Sequence, residues 1–202
     1  MKTKQQIRID RFVAKPIGVL VNVFVRLLGK ILSIDHSLDK NFKKIAVCKF
    51  KGMGSIIQSS SMIGAIRKQF PDAEIIYIST KVNKSILENI DWIDTIVLVD
   101  DRNLLTLIGS NIKALWQLIR IRPEVYFDLE IYSNYSTLFT TFTLSKNRIG
   151  FYLRATSYRM GLYTHMMFFN SRVPISNIYT QLAALIGCSS TDNTLFNLKS
   201  DY

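Results

Sequence analysis

The sequence is poor in the residues that build metal and redox sites, and it has no long apolar run. Its two cysteines, Cys48 and Cys188, are far apart and form no metal-binding or redox motif, so both are expected to be reduced thiols. Two histidines are too few for a metal site. The longest charge-free run of the apolar amino-terminal part, residues 16–25, has ten residues, whereas a membrane-spanning helix needs about 20. We therefore expect a globular cytosolic protein with no metal and no cofactor.

Acidic residues are also scarce: 15 Asp and Glu stand against 26 Lys and Arg, a net charge of +11. Residues 1–44 hold ten of the basic residues and three acidic ones, and therefore carry +7. A nucleic-acid partner is not favoured, because the basic residues neither alternate with aromatic ones nor form a recognisable module. Most of the net positive charge instead lies in the amino-terminal segment.

That segment, residues 1–43, has the pattern of a basic amphipathic helix. Its apolar residues recur at helical spacing, and polar or charged ones fall largely on the other side. The apolar set is Ile17, Leu20, Val21, Phe24, Leu28, Ile31 and Leu32. Such a helix is typical of proteins that lie on an anionic membrane surface. A helix that packs only on its own domain remains the alternative, whereas a signal peptide is disfavoured because no cleavage site is evident.

After this segment the chain shows a strand, a glycine loop, a helix and a second strand. Strands are predicted over Lys44–Phe50 and Glu74–Thr80 from their apolar and β-branched content. Gly52 and Gly54 permit positive φ in the loop, and Ser55 is the predicted N-cap of the helix. The carboxyl ends of parallel strands, where such loops lie, are the usual ligand site of an open α/β sheet.

The glycine loop differs from two familiar nucleotide-binding loops. A P-loop has Lys followed by Ser or Thr after its last glycine, but Ser55-Ile56 stands here. A dinucleotide-binding loop has a third glycine where Ile57 lies, and an acidic residue at the end of the second strand. Two interpretations remain: a turn that needs glycine for geometry alone, or an anion site built on free N–H groups at the helix amino end.

The rest of the chain alternates helices and strands. Helices are predicted over 84–89, 104–121, 135–144 and 178–186, and strands over 95–99, 125–130 and 148–151. The helix over 104–121 has an apolar stripe of Leu105, Ile108, Ile112, Leu115, Leu118 and Ile119, and Trp116 is interpreted as a packing residue. The alternation predicts a doubly wound parallel sheet, a Rossmann-like α/β domain over 44–187, with 188–202 as a linker or the start of a further domain.

Several segments together resemble glycosyltransferase family 9, the ADP-heptose:lipopolysaccharide heptosyltransferases and their relatives. They comprise Lys49 with Met53-Gly54 and Phe70-Pro71-Asp72-Ala73; the VYFDLE strand over 125–130; Arg148-Ile149-Gly150-Phe151; and Tyr163-Thr164-His165 with Phe169-Asn170. The resemblance runs from about residue 44 to residue 187. It implies the amino-terminal, acceptor-side domain of a GT-B fold, in which a second domain binds the nucleotide-sugar donor. The sequence stops where that domain would begin, so we expect the 202 residues alone to be inactive.

One position departs from the family pattern. Members commonly have Asp directly after the Met-Gly pair, as the base that activates the acceptor hydroxyl, but Ser55 stands here and is far too weakly basic. Glu130 and Asp128, near the end of the predicted fourth strand, are the replacement candidates, and Glu130 is preferred. The alternative is that Asp128 caps a loop and Glu130 is a solvated charge at the strand edge.

The resemblance also implies an acceptor that carries phosphates and carboxylates, since the family acts on lipopolysaccharide-type acceptors. The predicted substrate-binding residues are Lys49, Lys51, Gly52, Met53, Gly54, Ser55, Arg148, Arg154 and His165. The expected function is heptose-type sugar transfer to a cell-envelope glycan at the cytoplasmic face of a bacterial inner membrane. A non-catalytic membrane-surface module that binds glycans or anions is the alternative.

Overall fold

The structure is a computed structural model that describes residue 7 and residues 10–189, without the side chains of 28–30 and 32. The described chain forms a six-stranded sheet in the order β3-β2-β1-β4-β5-β6, and every neighbouring pair is parallel. The strands are β1 Lys44–Cys48, β2 Glu74–Thr80, β3 Thr95–Val99, β4 Val125–Asp128, β5 Asn147–Tyr152 and β6 His165–Phe168. The predicted Rossmann-like α/β class is confirmed. The predicted linker lies outside the described residues from position 190 onward.

Helices cover both faces of the sheet. They are α1 Lys15–Leu32, α2 Met53–Gln69, α3 Lys84–Leu87, α4 Leu104–Ile121, α5 Asn134–Phe142 and α6 Ile175–Ala184, with a π-helical turn at Asp10–Ala14 and 3₁₀ segments at Lys81–Asn83 and Arg154–Arg159. On one face α2 and α6 pack against each other, over the larger apolar core. On the other face α4 and α5 cover the second core. All strand ends that feed these helices therefore meet at one edge.

The sixth strand, His165–Phe168, is not among the strands predicted from the sequence. The segment pairs with β5 in parallel, with His165 opposite Ile149 and Phe168 opposite Tyr152. Its His-Met-Met-Phe sequence has no β-branched residue, and it lies at the sheet edge with its side chains only partly covered. Local propensity is therefore weak, and pairing with β5 makes the segment a strand.

The N-cap of α2 lies three residues earlier than predicted. Gly52 is the N-cap, with φ of +87°, so the left-handed backbone falls on the glycine. Ser55 is inside the helix rather than its cap, and Gly54 is helical, with open space where a Cβ would stand. The predicted cap at Ser55 is thus wrong, as is the expectation that both glycines serve the turn.

Helix α1 packs on the rest of the protein through its small and polar side. Ala14, Gly18 and Asn22 are buried on this side, where the helix packs against α5 and the 3₁₀ segment Arg154–Arg159. The Asn22 amide donates to the carbonyls of Tyr158 and Met160, the latter at 2.8 Å. The apolar side of the predicted amphipathic helix points away from the domain, since Leu20, Phe24 and Ile31 are among the exposed residues. The described part of the chain contains no helix that is long and apolar enough to cross a bilayer.

Helix α4 has its predicted bounds, but the predicted apolar stripe is not the face that packs on the sheet. Leu118 of that stripe is buried, and Ala114 joins it in the core. Leu105, Ile108 and Ile112 are exposed instead. The helix has apolar residues on two sides, so periodicity alone identified the helix without identifying its buried face.

Candidate functional site

A pocket of about 370 Å³ opens at the carboxyl edge of the sheet. Its apolar wall includes Phe50, Val99, Leu107 and Tyr135, and its charged groups are Asp10, Lys51, Asp101 and Glu130. These residues come from the ends of β1, β3 and β4, from α4 and α5, and from the amino-terminal segment. In open α/β sheets ligands bind at this edge, next to the point where strand order reverses between β1 and β4.

Glu130 connects the end of β4 to the end of β1. Its Oε1 accepts hydrogen bonds from the N–H groups of Phe50 at 3.0 Å and Lys51 at 2.9 Å. The same oxygen forms an ion pair with Lys49 Nζ at 3.0 Å. Lys49 is 7% exposed and Glu130 8% exposed, so the pair is largely shielded from water. Because Glu130 also lines the pocket, its small exposed surface faces the space where a ligand would bind.

Asp128, two residues earlier, has no exposed surface at all. Its Oδ2 accepts from the Tyr163 hydroxyl at 2.5 Å and the Thr140 hydroxyl at 3.3 Å, and its Oδ1 accepts from Glu130 N at 2.9 Å. Burial raises the pKa of the Asp128 carboxyl, while the Tyr163 hydrogen bond and the Arg159 charge act in the opposite direction. In this conformation Asp128 contacts the interior and not the pocket.

The loop residues of the predicted substrate site do gather at this edge. Lys51 lines the pocket. Met53, Gly54 and Ser55 form the first turn of α2, whose N–H groups have no partner within the helix and carry partial positive charge. Gly52 turns the chain so that this amino end follows directly on Lys51. The loop and Glu130 therefore form one connected region.

Three predicted binding residues lie elsewhere or face differently. Arg148 is near the amino end of β5, where its guanidinium donates to the carbonyls of Leu162 and Ser145 at 2.7 Å each, and burial lowers its pKa. His165 begins β6 and contacts the Thr164 hydroxyl at 3.0 Å; burial, and then the charge of His36, lowers its pKa. Arg154, exposed at the start of the 3₁₀ segment, follows the carboxyl end of β5.

Two residues that shape the site were not predicted to do so. Asp10 lines the pocket, and its Oδ1 accepts from Tyr135 N at 2.7 Å at the first turn of α5. Arg159 is fully buried and donates to the carbonyls of Ile131 and Ser133 at 3.0 and 2.7 Å. It thereby fixes the loop after Glu130. No sequence signal marks either role, since both depend on contacts more than 25 residues apart.

A second ionic cluster lies at the end of β3. Asp100 accepts from Arg102 at 2.8 Å and from Lys81 at 3.0 Å. These partners, Arg102 first, hold the pKa of the Asp100 carboxyl well below its usual range. Across the residues that the structure describes, no group of three or more His, Cys, Asp or Glu side chains is placed to hold a metal ion.

Several solved structures with a similar fold are glycosyltransferases. A family 9 glycosyl transferase from Veillonella parvula matches with a TM-score of 0.67 at 15% identity, covering 80% of this chain and 46% of that one. E. coli ADP-heptose lipopolysaccharide heptosyltransferase II matches with a TM-score of 0.58 at 20% identity, over 69% and 40%. E. coli heptosyltransferase WaaC with ADP-2-deoxy-2-fluoro heptose gives 0.64 at 10% identity, over 75% and 51%.

These matches show that the chain has the Rossmann-like fold found in family 9 glycosyltransferase structures. It spans about half the length of each of the three. No protein-family model matches the sequence, and a search of curated proteins finds no match. The likeness that these matches show is therefore one of fold.

Proposed function

We propose that this chain is the acceptor-binding half of a glycosyltransferase. In this proposal a heptose-type sugar is transferred from a nucleotide-sugar donor to a lipopolysaccharide or related cell-envelope glycan. A second domain binds the donor, no metal or other cofactor takes part, and the described half is inactive alone. The observation that carries the proposal is the edge pocket, which is lined by the Glu130 carboxylate and by Lys51, the residue directly before the amino end of α2, on a fold shared with family 9 structures.

The chemistry assigned to Glu130 is that of a general base. Its carboxylate accepts the proton of the acceptor hydroxyl, whose oxygen then bonds to the anomeric carbon of the donor sugar. The bond from that carbon to the diphosphate oxygen breaks, and the nucleoside diphosphate leaves with the electron pair. Because Oε1 is held by two N–H groups and Lys49, the carboxylate is oriented before the acceptor binds.

Other residues have binding or positioning roles in this scheme. Lys51 and the first turn of α2 attract acceptor phosphates or carboxylates through charge and N–H groups. Asp128 is assigned a positioning role, since it accepts from Glu130 N and is itself buried. Arg148 and His165 hold β5 and β6 in place from positions away from the pocket, and Arg154 is kept as a peripheral acceptor contact.

We also propose that the protein acts at the cytoplasmic face of a bacterial inner membrane, bound to its surface. The support is the outward apolar side of α1, with Leu20 72% and Phe24 62% exposed. The +7 charge of residues 1–44 adds attraction to anionic lipids. Membrane association of this kind would bring a lipid-linked acceptor to the pocket without a spanning helix.

Replacement of Glu130 tests the catalytic part. In the enzyme made of this chain and its donor domain, Glu130→Gln should lower kcat for sugar transfer about 100-fold or more, with little change in acceptor KM. Glu124→Gln is the matched control, because Glu124 also accepts main-chain N–H bonds, from Lys43 and Lys44, but at the opposite edge. Unchanged kcat in Glu130→Gln would remove Glu130 as the base.

The second candidate function is a non-catalytic module that binds glycans or anions at the membrane surface. Two observations favour it. Ser55 stands at the usual position of the base, and Glu130 Oε1 already has three partners, two N–H groups and Lys49, as a structural carboxylate would. Calorimetric titration of the 202-residue chain with deacylated lipopolysaccharide core tests binding in both cases. If the chain binds the core and the Glu130→Gln and Asp128→Asn enzymes keep full sugar-transfer activity, neither carboxylate is the base. If the chain binds the core but no two-domain form transfers sugar, the result supports the non-catalytic module.

A further inference from the structure

Helix α4 presents an apolar side to solvent. Leu105 is 82% exposed, Ile112 65% and Trp116 57%, and Ile108 lies between them on the same side. A surface helix normally has polar residues there, with its apolar stripe on the core. The core contact of α4 is made instead by Ala114 and Leu118. An exposed stripe of large apolar side chains marks an interaction surface.

The outward side of α1 belongs to the same side of the sheet. Helix α5 lies between the two, because α1 packs on α5 and the Tyr135 hydroxyl of α5 donates to Asn111 of α4 at 2.6 Å. The edge pocket joins them at one end, where Ile7 of the amino-terminal segment and Leu107 of α4 both line it. Two exposed apolar helices therefore flank the entrance of the candidate site.

Charge identifies the kind of partner. Neither residues 15–32 nor residues 104–121 contain a single Asp or Glu. On α4, exposed Lys113 accompanies the apolar stripe, and Arg120 stacks on the Trp116 ring at 4.7 Å from its centroid. Trp with adjacent basic residues is favoured at the headgroup level of a bilayer, where the ring is half apolar and the cation meets lipid phosphate. This chemistry fits anionic lipid better than a protein surface.

We infer that the outward sides of α1 and α4 form one docking surface for an anionic bilayer, with the pocket entrance between them at the headgroups. The inference rests on the proposed membrane association and adds the second helix and the orientation of the site. In this arrangement a lipid-linked acceptor enters the pocket from the membrane side, past Ile7 and Leu107.

Vesicle sedimentation with the full 202-residue chain tests the docking surface. The variant Ile112→Gln/Trp116→Gln should bind vesicles of phosphatidylglycerol and phosphatidylcholine at least about tenfold more weakly than wild type. Leu144→Gln, which removes an apolar residue that is 71% exposed at the opposite edge, should bind as wild type does. Brominated lipids should quench Trp116 emission, and pure phosphatidylcholine vesicles should bind far less.

The α1 variant Leu20→Gln/Phe24→Gln separates this inference from the proposed membrane association. Weaker binding in both helix variants supports one surface that includes α4. Loss only in the α1 variant overturns the role of α4 and leaves membrane association intact, whereas absence of wild-type binding to anionic vesicles overturns both. Equal binding to neutral and anionic vesicles would contradict an anionic partner. If the wild type is a dimer and Ile112→Gln/Trp116→Gln converts it to a monomer, a second copy of the chain, and not a bilayer, covers α4.

Discussion

Asp128 and Glu130 are two residues apart on the chain, yet their carboxylates lie in different environments. Asp128 is the last residue of β4, and its oxygens accept from Tyr163 and Thr140 beneath α5. Glu130 lies beyond the strand, where it meets the end of β1 and the pocket. The position of the strand end therefore decides which of the two carboxylates reaches the pocket. Both are base candidates from the sequence, and burial leaves Glu130, but not Asp128, with a surface on the pocket.

The largest expected effect comes from Asp128→Ala. The substitution leaves the Tyr163 and Thr140 hydroxyls and the Glu130 N–H without their acceptor in the interior, which should lower the free energy of unfolding by about 2–4 kcal/mol. Urea denaturation followed by circular dichroism measures it. Asp128→Asn keeps an oxygen acceptor and the side-chain shape, so its loss should be clearly smaller. Equal stability of Asp128→Ala and wild type would show that the buried network is dispensable.

Gly150→Ala disturbs the same carboxylate from the opposite side. A Cβ at this position would lie 2.7 Å from Tyr163 Cε1, so the ring must shift and its hydrogen bond to Asp128 must weaken. We expect a loss of about 1–3 kcal/mol in unfolding free energy. Gly54→Ala is the control, since it has open space and helical backbone and should be neutral or stabilising by up to about 1 kcal/mol. Similar losses in the two variants would contradict the contact with Tyr163.

The smallest expected effect concerns pH. Burial raises the pKa of Asp128 in the folded protein above its usual value of 3.8, which applies to the unfolded state. Between the unfolded-state and the folded-state pKa, the folded protein therefore binds more protons than the unfolded protein. Stability from this group is therefore largest below pH 3.8 and decreases as pH rises through that window. Urea titration at several pH values measures the free energy of unfolding of wild type and of Asp128→Asn. As pH rises, the wild-type value should fall relative to that of Asp128→Asn. A shift in its favour would mean that Tyr163 and Arg159 outweigh burial.

Strong local periodicity explains why most of the sheet could be predicted. β2, β3 and α4 have their predicted bounds, because β-branched runs and helical apolar spacing coincide there. β6 could not be found this way, since its residues favour no strand and depend on β5. The structure also gives a physical reason for two of the family motifs: Gly150 and Tyr163 contact each other directly, and Thr164 exchanges hydrogen bonds with the backbone of Arg148.

The candidate site was predictable only in part. The glycine loop and Glu130 follow from their place at strand ends, which the alternation of strands and helices locates. The assignment of Asp10 to the pocket could not be made, because it requires the amino-terminal segment to fold back onto α5. The outward stripe of α4 was equally hidden, since a helix with apolar residues on two sides gives no sequence sign of which side is covered.

The bond between Asp10 and the first turn of α5 has a practical consequence for protein production. A recombinant chain that starts at Lys44, where composition suggests a domain start, loses this carboxylate from Tyr135 N and Asn134. It also uncovers Tyr158, whose ring lies against Gly18. Crystallisation or labelling work on this domain should therefore retain the residues from Asp10 onward.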